Sequence, residues 1–173
     1  MTDKKVKILE TALELFATQG YNAVATNKLA KQAGVSEGLI FKHFTNKKGL
    51  LDALLNDAER RMGQLFGPVL METDPAKVIK MTIELPFSIP QSEYNFWRLQ
   101  FKLKWQGEYY KPDKMKPVLE KLTAAFQALE YDFPQYEAEV LNYIIDSVSV
   151  GILRDGLEKH FHQKDFLIKK YKL

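Results

Sequence analysis

The residues of this chain most able to do chemistry lie between Thr26 and Phe44, in the stretch TNKLAKQAGVSEGLIFKHF. Their types suit hydrogen bonding and charge pairing with a polyanion rather than bond-making. Leu29, Ala30 and Ala33 recur at spacings that share one helix face. Thr26 is placed to cap that helix, Gly34 to end it in a left-handed turn, and Ser36 to cap the next. Ile40 and Phe44 are four apart and face inward. Glu37, Leu39, Phe41, Lys42 and His43 are left on the outward face or its rim. Two short helices joined this way, the second showing polar and basic residues outward, form the geometry that lays a helix in the major groove of DNA. An ordinary helical hairpin would share the caps and the turn, so the flanks matter.

Upstream, Val6, Leu9, Leu13 and Phe16, widened by Ile8, Ala12 and Leu15, predict an amphipathic helix that stops at Gly20. Downstream, Asn46 is placed to cap a helix opening on Lys47 and Lys48. Two cations at a helix start oppose its dipole, and a bound phosphate would reverse that sign. Charge agrees. Residues 1–48 hold eight basic and four acidic side chains, a balance of +4, and the remainder holds 17 and 18, a balance of −1. The excess positive charge sits wholly with the candidate phosphate-binding part.

The segment from Ile8 to Leu51 resembles the DNA-binding domain of the tetracycline-repressor (TetR) family of bacterial transcription regulators. The pieces occur in order: LF…G-Y, T-x-x-x-LA, AGVS-x-G, a helix ending HF, then N-K at the next helix start. The resemblance implies that Thr26 and Lys28, with Asn27 between them, approach the DNA backbone. It implies that Ser36, Glu37, Gly38 and Leu39 open the recognition helix, and that Phe41, Lys42 and His43 complete its face. Lys47, and Lys48 beside it, would hold a phosphate. The sequence departs from the family pattern at Phe41, where tyrosine is usual, at Leu39, where a small polar residue is frequent, and at Gly49, where glutamate often completes a capping box. The first two changes remove hydrogen bonds and add apolar surface, which predicts reading through thymine methyl groups.

The elements that position these residues are helices throughout. The chain predicts an all-α fold: an N-terminal three-helix DNA-binding domain over residues 1–48 (motif 26–45), then a helical ligand-binding and dimerisation domain over 49–173. A fourth helix is expected from Lys47 to Phe66, closed by Pro68. Further helices are expected from Pro75 to near Pro86, Ser92 to Gly107, beyond Pro112 to Glu130, Tyr136 to Lys159, and Lys164 to Tyr171. Sustained period-two alternation is lacking.

Met81, Phe87, Phe96, Trp97, Phe101, Trp105, Met115, Phe126 and Tyr143 are the candidates to line a pocket for an unidentified small apolar or aromatic effector, an expectation the resemblance strengthens; the same aromatic spacing also serves a core. Val140, Leu141, Ile144, Ile145, Val148, Gly151 and Ile152 make the next-to-last helix apolar on more than one side, so it is expected to bury one side in the protomer and the other in a homodimer.

Composition narrows the function classes. The chain has 173 residues and no cysteine, which removes disulfides and thiolate metal sites and suits a reducing cytoplasm. Apolar runs fall well short of the roughly 20 residues that span a bilayer. His160 and His162 lack a third ligand at a diagnostic spacing, so neither a metal nor a cofactor is expected. The sequence shows no HExxH, GxSxG or phosphate-cradling glycine loop, and no enzyme is expected. The expected function is a ligand-responsive repressor that binds a palindromic operator in double-stranded DNA. The alternative is a helical ligand-binding or protein-interaction module that has lost specific DNA binding.

Overall fold

The structure is a computed structural model, and residues 3–104 and 112–173 are described. Every regular element among the described residues is helical. In chain order they are α1 (Asp3–Gln19), α2 (Thr26–Ala33), α3 (Glu37–Phe44), α4 (Lys47–Leu55), α5 (Ala58–Met71), α6 (Pro75–Ser88), α7 (Tyr94–Lys104), α8 (Lys116–Ala128), α9 (Pro134–Asp155) and α10 (Phe161–Lys170). Short 3-10 turns precede α7, α8 and α10.

The helix boundaries follow local chemistry. Ser36 Oγ accepts from the Leu39 amide at 3.3 Å, Asn46 Oδ1 from Gly49 at 2.8 Å, and Asp74 Oδ1 from Lys77 at 3.1 Å. Gly20, Gly34 and Gly156 close α1, α2 and α9 with φ of 89°, 65° and 93°. Thr26 does not cap α2. That position belongs to Ala25, which is extended, contributes no side-chain bond, and accepts from the Leu29 amide through its carbonyl. The buried face of α1 is centred on Ile8, Ala12 and Leu15, and Val6 is 37% exposed at the edge of the predicted stripe.

The predicted fourth helix is two helices. α4 stops at Leu55, and the chain restarts as α5 after Asn56 and Asp57. The Asp57 carboxylate takes the guanidinium groups of Arg60 at 2.7 Å and Arg61 at 2.6 Å, and these bonds hold it below the usual carboxylate range. Pro68 does not end α5; its carbonyl still accepts from Glu72, and only its own missing donor is lost. α9 ends four residues earlier than predicted, because Gly156 turns the chain into a 3-10 turn before α10.

The helices group into two compact units. The first contains the chain up to Met62 and α7. Its core joins Ile8, Leu15 and Phe16 of α1, Leu29 of α2, Ile40 and Phe44 of α3, Leu50 and Leu51 of α4, and Leu99 and Leu103 of α7. The second holds Gly63–Gln91 with α8, α9 and α10, around Val78, Ile79, Ile83, Leu122, Phe126 and Leu141. These packing units do not follow a division at residue 48: α7 is part of the first. Lys102 of α7 donates to the Thr18 carbonyl at 2.8 Å, satisfying an orphan acceptor in the last turn of α1. At the other end of α7, Glu93 accepts from Arg61 at 2.9 Å and from the Trp97 indole at 3.3 Å, while the Arg61 guanidinium lies 4.6 Å from the centre of the Phe96 ring.

Candidate nucleic-acid interface

α3 is an eight-residue helix fixed by two buried side chains, Ile40 and Phe44. Its remaining residues are displayed. Glu37, Gly38, Phe41 and Lys42 are exposed, and Leu39 and His43 are half-buried. Phe41 keeps 43% of its surface, so an aromatic ring stands where the outward face is fullest. Gly38 has open space around it: a Cβ there would meet nothing within 4 Å. A glycine inside a helix costs up to about 1 kcal/mol against alanine, and Gly38 lies in the first turn of α3. Among the described residues nothing crowds this one, so packing inside the protein does not account for the glycine.

The first turn of α2 lies beside this face in sequence. Asn27 and Lys28 are exposed and Thr26 is half-buried. The Lys28 ammonium is held by Gln19 Oε1 at 2.6 Å. The α2–α3 turn is closed by Gly34, whose amide points to the carbonyls of Ala30 and Lys31, and by Val35, whose amide reaches Ala30 at 3.0 Å.

The α3–α4 junction is tighter than the sequence suggests. Thr45 takes φ 66° and ψ −47°, and the Asn46 amide donates back to the Phe44 carbonyl at 2.7 Å, a γ-turn. A β-branched residue at positive φ is strained, at a cost on the order of 1–3 kcal/mol. Gly49 explains how the turn fits. A Cβ at 49 would overlap the Phe44 carbonyl oxygen, so only glycine lets α4 begin this close to the end of α3. The departure at Gly49 is therefore a packing requirement, and Asn46 alone caps the helix.

The two lysines that open α4 differ. Lys48 is exposed and bonded to both Asp52 oxygens, at 3.1 and 2.9 Å. Lys47 is half-buried, and its ammonium sits 4.4 Å from the centre of the Tyr21 ring. Burial pulls its pKa below the ordinary lysine value.

Residues 8–54 match the family model described as bacterial regulatory proteins, tetR family. This N-terminal segment, about a quarter of the chain, is similar to the TetR family. Among similar proteins, an uncharacterised HTH-type transcriptional regulator, YvkB of Bacillus subtilis strain 168, is 41% identical over 60 residues, covering 35% of this chain and 32% of YvkB. The fatty acid metabolism regulator protein of the same organism is 32% identical over 96 residues, covering 53% of this chain and 48% of the relative. The chain spans less than half the length of the curated relatives it matches. A TetR-like transcriptional regulator from Rhodococcus sp. RHA1 superposes with a TM-score of 0.81, covering 98% of this chain and 93% of the other at 13% identity. That likeness shows the fold.

The residues expected to line an effector pocket are distributed over both units. In the first, Phe96 and Trp97 are buried edge-to-face with centroids 5.2 Å apart, and Phe101 is half-buried. Trp105 lies outside the described residues. In the second, Phe126 is fully buried against Tyr131 and Tyr171. Phe87 stacks on Phe161 at 6.3 Å, Met81 and Met115 are half-buried at the core edge, and Tyr143 is 68% exposed. A cleft of about 420 Å³ in the second unit is lined by other residues, among them Ala76, Glu130, Tyr131 and Tyr171.

Of the residues expected at a dimer interface, Leu141, Ile145, Val148 and Ile152 are buried within the protomer, and Ile144 is half-buried. Gly151 is occupied too: the His160 ring lies against it, and a Cβ there would stand 2.6 Å from His160 Cε1. Val140 alone of the set is exposed, at 48%. It belongs to a different stripe. Phe133, Tyr136, Val140, Tyr143 and Val150 are exposed by 66, 65, 48, 68 and 38% at steps of three, four and seven residues along α9. Sequence reasoning missed this stripe because it ranked residues by hydropathy, which selects the inner face. The alternating three-four spacing of aromatic residues was the signal available.

Proposed function

We propose that this chain is a transcription regulator that binds double-stranded operator DNA as a homodimer, acts as a repressor, and is released by a small apolar or aromatic effector. The observation that carries the reading is the built face of α3: two buried anchors, a side-chain cap and an outward surface of Glu37, Gly38, Phe41 and Lys42. The charge balance of residues 1–48 and the match over 8–54 support it. Thr26, Asn27 and Lys28 approach the backbone from α2, and Ser36, Glu37, Gly38, Leu39, Phe41, Lys42 and His43 form the face turned to the DNA. Lys47 and Lys48 serve phosphates.

The exposed stripe on α9 supports the dimer, since a soluble helix with aromatic side chains on its outer face gains by pairing it. A two-fold pair of α3 helices requires half-sites about one turn apart, ~34–36 Å. α7 supports effector coupling. It packs Leu99 and Leu103 into the core of the DNA-binding helices and carries the aromatic residues Phe96, Trp97 and Phe101. A ligand that favours one position of α7 shifts DNA affinity by its differential affinity for the two states. Aromatic side chains of this kind suit an apolar effector, and a fold relative of 18% identity and TM-score 0.65, FadR from Bacillus subtilis, has been solved in complex with stearoyl-CoA.

The apolar character of the α3 face gives the test. With Leu39 and Phe41 in place of polar side chains, thymine methyl groups become its natural contacts. Replacing thymine by uracil at the central half-site positions is expected to weaken binding, by about fivefold or more at the most sensitive position. Equal affinity at every thymine in a fluorescence-anisotropy titration would remove this mode of reading.

A further inference from the structure

Lys47 and Lys48 stand side by side at the start of α4, yet the protein treats them differently. Lys48 is bonded to both oxygens of Asp52, one turn along its own helix. A carboxylate positions a lysine and also neutralises it. Lys47 is placed over the face of Tyr21, with its ammonium 4.4 Å from the ring centre. The ring holds the cation through its quadrupole and carries no charge of its own, so the site stays positive. Tyr21 is itself fixed, meeting Phe16 edge-to-face with centroids 5.2 Å apart, and Phe16 is fully buried in the core beneath. The arrangement keeps a partly buried cation at a helix N-terminus, where burial and the dipole both disfavour it. An anion at the same place would reverse both penalties.

We infer that Tyr21 is a positioning residue for DNA binding: its ring seats the Lys47 ammonium so that it meets a backbone phosphate without being neutralised. The inference rests on the DNA-binding reading and goes beyond it by assigning a role to a residue 26 positions away in sequence. It also ranks the two lysines. Lys47 carries the phosphate contact, and Lys48 contributes less because breaking its pair with Asp52 offsets the gain.

The test uses the full chain and a short duplex of arbitrary sequence, since a phosphate contact is blind to sequence. Affinity is measured across a salt series for the wild type, Tyr21→Phe, Tyr21→Leu, Lys47→Ala, Lys48→Ala and the double variant Tyr21→Leu with Lys47→Ala. A seventh protein carries a ring-fluorinated phenylalanine at 21, which keeps the ring without an ionisable group and depletes its face. Lys47→Ala is expected to lower the salt slope by about 1. Tyr21→Phe should bind as the wild type does. Tyr21→Leu and the fluorinated ring should each lose about two- to fivefold, and Tyr21→Leu should lose nothing more once Lys47 is alanine. The fluorinated protein keeps the test valid if leucine disturbs the fold. If the fluorinated and leucine variants bind like the wild type while Lys47→Ala loses affinity and slope, the seat is wrong and DNA binding stands. If the wild type itself shows only shallow salt dependence that Lys47→Ala does not change, the DNA-binding reading fails and the seat with it.

Discussion

Alanine at Gly49 is expected to destabilise the DNA-binding helices by roughly 3 kcal/mol, whereas alanine at Gly38 is expected to stabilise them by up to about 1 kcal/mol. Both glycines lie inside the first turn of a helix, where propensity alone favours alanine. Their surroundings decide. At 49 the new methyl would overlap the Phe44 carbonyl oxygen, a backbone atom pinned between α3 and the strained Thr45 turn, so the junction must open. At 38 the methyl meets no protein atom. DNA binding separates the two further. Gly38→Ala should be more stable and yet bind operator about tenfold or more weakly, because the methyl stands between α3 and the groove floor. Denaturant unfolding and DNA titration of the two proteins check this. A Gly38→Ala protein that keeps full affinity would show that α3 does not approach DNA along this face.

The second large effect is expected at α9. Tyr136→Glu combined with Tyr143→Glu places two like charges on each copy of a stripe that the proposed dimer buries. Both side chains are about two-thirds exposed in the protomer, 65% and 68%, so the fold should survive. Sedimentation is expected to show a folded monomer. Operator affinity should fall by about a hundredfold or more, since each half-site then binds without the effective concentration its partner provides. A variant that remains dimeric would place the interface on another surface. Leu141→Glu offers the contrast: that side chain is fully buried, and the charge is expected to unfold the protein.

Much of this was legible in the sequence because it depends on near neighbours. Ser36, Asn46 and Asp74 cap where their side-chain chemistry and the following residues say they should. Gly20 and Gly34 end α1 and α2 at positive φ, and Ile40 and Phe44 are buried as their four-residue spacing requires. Features set by pairings and packing that local propensity does not encode were not legible. Pro68 reads as a terminator but lies within the last turn of α5, where its carbonyl still serves Glu72. The true break, at Asn56 and Asp57, is held by Arg60 and Arg61, a pairing that weak local propensity does not announce. Gly49 reads as a missing cap and proves to be required by the Phe44 carbonyl. Gly151 reads as part of a homodimer interface, and the His160 ring lies against it within the protomer. The inclusion of α7 in the first unit depends on Leu99 and Leu103 filling a core more than 40 residues away in sequence, which periodicity cannot reveal.

The central claim is that α3, presented twice by a two-fold dimer, reads DNA. Selection of bound duplexes from a random pool tests it most directly. The expected result is a near-palindromic consensus, thymine-rich where Leu39 and Phe41 face the groove, with half-site centres about one helical turn, ~34–36 Å, apart. Failure to enrich any sequence, at salt low enough for non-specific binding to be seen, would contradict it and leave a helical module without a DNA function.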